Sequence, residues 1–259
     1  LQTAAYETNP GENFGIFRTK KTVFNENSYI GGMFTSRLGM NGNYNLAYGI
    51  DGQFRVTGDE YLTVKFARTY ENDSPNKLFD KDPSRLLVNW EHRNLKGFGY
   101  DFLYSYSGDR FNPGIGFEVK DDYQVVRAIF KYGWFPGENN QVRYHNISLT
   151  GYNIWNTSNG MQETAAGILE WEFENKKGSA GSAGLTFSQE DLPDSLSLGN
   201  DQAYVPGGRY SFLNFTASYG TSSGNPLSAF FSTESGTFYD GWLVSLYAWP
   251  RVNIGSGIY

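Results

Sequence analysis

Three glutamates in one short stretch, Glu170, Glu172 and Glu174, have the spacing best suited to concerted chemistry. Side chains two residues apart on one strand face lie about 7 Å from each other. Two such acids could flank a glycosidic bond, or their oxygens could hold a cation. They could instead form ion pairs that stiffen a sheet, and we expect this structural role. The candidate partners are Arg127, Lys131 and Arg143.

Histidine chemistry has only two candidate residues, His92 and His145. His145 lies near Asn146 and Ser148, which are residue types of a barrel-embedded hydrolase, but an ordinary strand histidine is the favoured interpretation. No His-Glu-x-x-His zinc motif occurs in the sequence. The chain has no cysteine, which excludes disulfides, thiolate metal sites and a cysteine nucleophile. An enzyme is therefore the less favoured class, and we predict no catalytic residue, metal site or cofactor.

Period-two alternation of apolar and polar residues is the main structural signal, and it predicts β-strands. From Tyr44 to Val56, even-numbered positions are mostly apolar and odd-numbered positions mostly polar. A short turn from Thr57 to Glu60 leads to a second strand of this kind. The alternation returns in the stretches 86–93, 100–107, 123–135, 165–174 and 213–219. Three further stretches, 14–24, 142–154 and 239–249, are strand-like but apolar on both faces, and bulges are one explanation.

These strands have one charged face and one apolar, aromatic face. Charges of both signs in mid-strand suit the wet or salt-bridged interior of a barrel. The candidate lumen-lining residues are Asp51, Arg55, Lys65, Asp101, Arg127, Lys131, Glu170, Glu172 and Glu174. Tryptophans near strand ends suit the aromatic girdles at a membrane interface. The girdle candidates are Trp90, Trp134, Trp155, Trp171 and Trp242.

We predict an all-β fold, an antiparallel transmembrane β-barrel to which this chain supplies about 13–14 strands. Strands of about 10–13 residues exceed those of soluble sheets and fit membrane-spanning strands. A soluble sandwich, whose core would be the apolar face, is the alternative. Connections are short except for those from 72 to 83 and from about 190 to 208. Strand parity does not place these two on one rim, so either the stretch 114–120 alters the strand count or one loop is periplasmic.

The composition excludes other classes of protein. The formal net charge of -6 and the lack of a long basic cluster argue against nucleic-acid binding. No apolar run approaches the roughly 18 residues that a membrane-spanning helix needs. Because polar lumen residues dilute the hydrophobicity of barrel strands, low hydropathy does not argue against a membrane barrel.

Four stretches of the chain resemble one protein family. They are NFGIFRTKKTVFNENSYIGGMFTS (13–36), NYNLAYGIDGQFRVTGDEYLTVKFAR (43–68), DRFNPGIGFEVKDDY (109–123) and VPGGRYSFLNFTASYGTSSGNPLS (205–228). The chain resembles the uncharacterised barrel domain that follows a family-nine carbohydrate-binding module in outer-membrane proteins of Gram-negative bacteria. The resemblance implies that residues 1–259 are part of a single outer-membrane barrel domain of about 14–18 strands. It also implies that an N-terminal module, the first strands and the closing strands lie outside this sequence.

The charged face and the resemblance together lead to a functional expectation. We expect a protein of the bacterial outer membrane that passes or captures small solutes through a charged lumen, with glycan-related solutes as candidates. The alternative is a structural anchor or scaffold subunit of an outer-membrane complex, with a plugged lumen. A barrel-embedded hydrolase is a weaker alternative. The expected partners are outer-membrane lipid, with glycans and other outer-membrane proteins as candidates, and no nucleic acid.

Overall fold

A computed structural model describes residues 2–3, 11–72, 80–198 and 203–253 of the chain. The described part contains no helix that is long and apolar enough to cross a membrane. Its strands are β1 (Gln2–Thr3), β2 (Glu12–Thr22), β3 (Tyr29–Gly39), β4 (Tyr44–Thr57), β5 (Glu60–Glu71), β6 (Ser84–His92), β7 (Gly97–Ser107), β8 (Tyr123–Trp134), β9 (Val142–Asn156), β10 (Gln162–Asn175), β11 (Ala180–Leu192), β12 (Leu196–Leu198), β13 (Ala203–Val205), β14 (Gly208–Gly220), β15 (Leu227–Phe238) and β16 (Gly241–Val252).

Fourteen of these strands form one antiparallel sheet in chain order, from β1 to β11 and then β14, β15 and β16. The two remaining strands, β12 and β13, pair with each other in the connection between β11 and β14. The predicted all-β class, antiparallel sheet and strand number are confirmed. None of the pairings among the described residues joins the last strand to the first, so the barrel itself stays a prediction.

The described residues divide into two compact units. Unit 1 comprises Leu1–Arg93, Asp101–Val126 and Ile154–Met161. Unit 2 comprises Asn94–Tyr100, Arg127–Asn153 and Gln162–Tyr259.

The register of unit 1 separates charged from apolar side chains, because directly opposed residues of a ladder share a face. Asp51 lies opposite both Gly31 and Lys65, and Ala67 lies opposite Arg85. We call this side the polar face of unit 1. The other side has Ile50 opposite Phe66 and Leu46 opposite Tyr70, and we call it the apolar face of unit 1.

Unit 2 shows the same separation. One row across its strands runs from Glu170 through Gly184 and Thr216 to Glu234, on the polar face of unit 2. The adjacent row runs from Leu169 through Leu185 to Phe215, on the apolar face of unit 2.

The predicted turn between β4 and β5 is confirmed as a two-residue connection. Gly58 there has a φ of 50°, a left-handed conformation that glycine adopts without steric cost. The ladder shifts register between Arg55 and Thr57 just before this turn.

The structure decides two points about irregular regions that the sequence left open. The stretch from Gly114 to Lys120 contains no strand, because β7 ends at Ser107 and β8 begins at Tyr123. The two predicted long connections therefore both follow odd-numbered strands, β5 and β11, and the parity conflict disappears.

The three stretches with apolar residues on both faces are confirmed as the strands β2, β9 and β16. Bulges do not explain β2 and β16, since their ladders with β3 and β15 keep register throughout.

Very little of the described chain forms a buried hydrophobic core. The buried hydrophobic residues are Ala47, Phe111, Ala166, Val205 and Phe212. Side chains of the apolar faces are exposed instead; Ile50 is 63% exposed and Leu213 57%. The core of a soluble sandwich would bury this face, and the described residues lack that burial.

Candidate functional site

Residues 108–121, which connect β7 to β8, fold across the polar face of unit 1. We call them the 108–121 segment. The segment contacts side chains from three consecutive strands, Asn45 of β4, Thr69 of β5 and Arg85 of β6. Register places all three on the polar face, because Ala47 lies opposite Thr69 and Ala67 opposite Arg85. The segment, which contains no strand, therefore packs against the polar face of unit 1.

Two asparagines hold the centre of the segment. The amide nitrogen of Asn45 donates to the carbonyl of Asn112 at 2.8 Å, and its oxygen accepts the Gly114 N–H at 2.8 Å. The Asn112 side chain donates to Glu71 Oε2 at 2.9 Å, and its backbone N–H donates to Thr69 Oγ1 at 3.2 Å. Thr69 is 2% exposed. Most of the polar groups in this contact are paired, as buried polar groups require.

Arg110 fixes the start of the segment to the end of the 72–83 connection. Its guanidinium donates to the carboxylates of Asp80 and Asp82, at 3.2 Å for Asp82. The hydrogen bond from Arg110 holds the pKa of Asp80 below its usual range. Burial, followed by the charge of Asp82, raises the pKa of neighbouring Asp109. The carboxylates at this edge are therefore not equivalent, since Asp80 is held ionised and Asp109 binds its proton more readily.

Arg85 joins the end of the segment to the sheet. Its Nε donates to Glu118 Oε2 at 3.0 Å, and its Nη1 donates to Ser105 Oγ and to the Tyr106 carbonyl at 3.0 Å. Between these fixed points, the side chain of Phe117 is 87% exposed. The segment is bound at both ends and in its centre, and it presents an apolar ring outward.

A cavity of about 590 Å³ lies on the same face. Its lining includes Arg18, Asp51, Lys65 and Arg85. The Arg18 guanidinium binds Asp51 in a bidentate ion pair, with Nη2 to Oδ2 at 2.8 Å. This pair passes over Gly31, where a Cβ would lie 2.9 Å from Arg18 Nη2 and 3.0 Å from Asp51 Oδ1. Glycine at position 31 therefore leaves the space that the ion pair occupies.

The predicted lumen-lining residues of unit 1 fall on its polar face. Asp51 and Lys65 are directly opposed, and Arg55 lies opposite Tyr61 in the same ladder. Arg55 is drawn to the turn, where it binds the Gly58 carbonyl and lies 3.4 Å from Asp59. Asp101 lies beside Asn89, whose amide nitrogen is 2.9 Å from Asp101 Oδ1 when the amide is oriented to donate.

The predicted lumen-lining residues of unit 2 are spread over β8 and β10. Glu174 forms an ion pair with Arg143 at 2.7 Å, which is one of the pairings expected from the sequence. Glu172 accepts a hydrogen bond from Asn146 at 3.0 Å. Glu170 lies opposite Gly184 in the ladder, a position without a side chain. In β8, Arg127 and Lys131 alternate with exposed apolar residues, and both are partly buried. Within the described ranges, no three histidines or acids come together to hold a metal ion.

The apolar face of unit 2 carries a continuous row of rings at the strand ends next to the connections 135–141 and 176–179. Trp134 stacks on His145 at 4.9 Å between centroids, and His145 stacks on Trp171 at 5.7 Å. Tyr132, Phe173 and Tyr219 extend the row in steps of 6.2, 5.2 and 6.4 Å. We call these six residues the aromatic row. Two predicted girdle tryptophans, Trp134 and Trp171, belong to it.

The other girdle candidates also lie near strand ends. Trp90 is the third residue from the end of β6 and donates to Glu60 at 3.0 Å. Trp155 is the last residue but one of β9, and Trp242 is the second of β16 and 80% exposed.

The surroundings of His145, the histidine on which the hydrolase alternative depends, are aromatic. His145 Nδ1 accepts from Trp171 Nε1 at 3.3 Å, between two indole rings. In the described part of the chain, no serine or carboxylate hydrogen-bonds to it. His92 Nδ1 lies 3.0 Å from Glu60 Oε1 near the end of β6. The described contacts of His145 therefore do not include the serine and carboxylate partners that the hydrolase alternative requires.

Asp122 joins the start of β8 to the turn between β9 and β10. Its carboxylate accepts hydrogen bonds from Asn156 at 2.7 Å, from the hydroxyl of Thr157, and from Ser158 N and Oγ at 2.9 and 2.8 Å. Burial opposes ionisation, but these donors outweigh it and lower the pKa of Asp122. Asp122 thus fixes the strand that follows the 108–121 segment.

Several residues of this site were not expected from the sequence. Arg18 lies in a stretch without clean alternation, and Asn45 and Thr69 are ordinary polar positions of predicted strands. Asn112 belongs to the stretch DRFNPGIGFEVKDDY (109–123), and the family resemblance of this stretch is the one signal in the sequence that draws attention to the segment. Comparisons of the chain with protein-family models, curated proteins and solved structures found no match.

Proposed function

We propose that this chain is part of a transmembrane β-barrel of the bacterial outer membrane, with its apolar faces toward lipid. The observation that carries the proposal is that the apolar faces are exposed, while the charged side chains lie on the other side of the same strands. Exposed apolar surface on this scale needs a cover, and lipid supplies one. Main strands of 9 to 15 residues are long enough for tilted membrane-spanning strands.

The aromatic row supports a membrane interface at one end of unit 2. Tryptophan and tyrosine collect at the headgroup level of bilayers because their rings are apolar and their tips are polar. His145 and the tryptophans on either side of it place polar ring nitrogens within such a row.

We further propose that the polar faces conduct or capture small polar solutes. The cavity beside Asp51 has the size of a small-molecule site. The 108–121 segment narrows access to that face, much as an inward-folded loop can restrict a channel. The resemblance of the segment and three other stretches to a barrel domain associated with sugar-binding modules favours glycan-related solutes.

Conductance in a planar bilayer tests this function. We expect steady conductance of the full chain, and altered ion selectivity when Glu170, Glu172 and Glu174 are changed together to Gln. Removing three carboxylates from a conducting wall lowers its preference for cations. Glu138→Gln, in the connection 135–141, serves as a control and is expected to leave selectivity unchanged. Unaltered selectivity in the triple variant would mean that β10 does not line the path.

A structural anchor with a plugged interior is the second candidate. The observation that favours it is the pairing of polar-face charges with one another, as in Arg18–Asp51 and Arg85–Glu118. A silent bilayer, with insertion established by protease protection in vesicles, would support the anchor and refute solute passage.

A further inference from the structure

We propose that the cavity beside Asp51 binds a small solute through a carboxylate group, and that Lys65 is the residue that selects this solute. The inference deepens the proposed function, since it names the class of solute that the polar face of unit 1 takes. It concerns binding, however, and binding can be measured whether or not the solute then crosses a membrane.

The cavity has the size of a site for a molecule of one or two sugar rings. Its volume of about 590 Å³ falls within the range of ligand pockets. Gly49 contributes no side chain to the lining, and Met33 and Leu87 give the cavity an apolar wall. Apolar surface of this kind suits the C–H faces of a sugar ring, and a few charged groups at the rim would fix its orientation.

Two of the three cations that line the cavity are already neutralised. Arg18 forms its bidentate ion pair with Asp51. Arg85 is bound to Glu118 of the 108–121 segment at 3.0 Å. Each arginine thus has one carboxylate of the protein as its partner.

Lys65 differs from the two arginines. Its side chain is exposed, and among the described residues no acceptor takes a hydrogen bond from its ammonium group. Asp51 lies opposite Lys65 in the ladder, but its two oxygens are directed to Arg18. The Lys65 ammonium therefore retains three donors for a ligand.

Charge balance indicates the type of anion. Arg18 with Asp51 and Arg85 with Glu118 each sum to zero, which leaves the single positive charge of Lys65. A carboxylate carries one negative charge and matches it, whereas a phosphate ester would bring nearly two. Both arginines that line the cavity already bind carboxylates, which shows that this wall accommodates the group.

Titration of the detergent-solubilised full chain with D-glucuronate, followed by ligand-observed NMR, tests the inference. We expect glucuronate to bind. The neutral analogue D-glucose should bind at least about tenfold more weakly, because it loses one charge-assisted hydrogen bond. Lys65→Gln is expected to weaken glucuronate binding about tenfold, and Lys65→Arg to restore most of it, because arginine keeps the charge. Lys177→Gln, at an exposed turn in unit 2, is the matched control and is expected to change nothing.

A second variant tests the same idea in the opposite direction. Glu118→Gln removes a negative charge that competes for the cations of the cavity, and we expect glucuronate to bind more tightly. Circular dichroism of each variant establishes that the sheet is retained.

Other outcomes overturn the inference. Absent glucuronate binding, or binding that Lys65→Gln leaves unchanged, would refute the assignment of Lys65. Inorganic phosphate that competes as strongly as glucuronate would refute selection for a carboxylate. If glucuronate binds as expected but the bilayer is silent, solute passage fails and the binding site stands.

Discussion

Replacement of Asn45 by alanine should release the 108–121 segment from the polar face of unit 1. The Asn45 side chain makes two hydrogen bonds to the segment, to the Asn112 carbonyl and from the Gly114 N–H, both at 2.8 Å. A third bond, to Glu71 Oε2 at 3.2 Å, stays within the sheet. Alanine removes all three without adding volume, so the lost contacts define the effect.

The magnitude follows from the two bonds to the segment. A neutral hydrogen bond contributes about 0.5–1.5 kcal/mol net, so two contribute about 1–3 kcal/mol. Local opening of the segment should therefore become about 5–150 times more frequent, since about 1.4 kcal/mol corresponds to a factor of ten. Arg110, Asn112 and Glu118 retain their own contacts, and for this reason we expect opening rather than global unfolding.

Hydrogen exchange at single amides measures this effect, and the Asn112 N–H is the critical reporter. That amide donates to Thr69 Oγ1, which the substitution does not touch. If the segment opens as a unit, exchange at Asn112 accelerates together with exchange at Gly114. Asn140→Ala, in the connection 135–141, removes the acceptor of the Val142 N–H and should leave both amides unchanged. Unaltered exchange at Asn112 in Asn45→Ala would refute the conclusion that Asn45 holds the segment.

Three further perturbations address other parts of the molecule. Gly108→Ala would put a Cβ 2.0 Å from the Asp82 carbonyl oxygen. We therefore expect the free energy of unfolding, measured in urea, to fall by about 1–3 kcal/mol. The lowered pKa of Asp122 stabilises the fold above its unfolded-state pKa, and this contribution disappears as pH falls through the folded pKa. In Asp122→Asn, the free energy of unfolding should therefore fall less steeply as the pH is lowered than it does in the unmodified protein. An equally steep fall in both proteins would contradict the proposed role of Asp122. Trp171→Phe should reduce the quenching of the protein's tryptophan fluorescence by lipids that are brominated near the headgroup. Trp249→Phe is the control that tests whether the loss of any tryptophan has the same effect.

The strands could be predicted because alternation is a local property. Side chains of a strand point alternately to the two faces, so a stretch such as 165–174 reveals both its conformation and its faces. The structure extends this strand only slightly, to Gln162–Asn175. Irregular residues between strands carry no such period, and the stretch 114–120 was accordingly ambiguous.

The candidate site could not be predicted because its contacts are distant in sequence. Asn45 and Asn112 are 67 residues apart, and Arg18 and Asp51 are 33 apart. These are single hydrogen bonds and ion pairs between residue types that occur throughout the chain, and only the register of the ladders brings them together. The charges expected to line a lumen were chosen by face, a criterion that does not reveal which of them have partners.

Pairing on the polar face of unit 1 bears on what each charge can do. Removing one member of the Arg18–Asp51 pair leaves the other without its partner in a partly covered position, so the cost falls mainly on stability. Removing Lys65 breaks no hydrogen bond among the described residues, so its loss should affect a ligand and leave the fold almost unchanged. Of the three cations that line the cavity, the two arginines are held in ion pairs, and Lys65 is the one that has none among the described residues. A cavity lined by several charges can in this way discriminate between solutes by a single residue, and we propose Lys65 as that residue in the cavity beside Asp51.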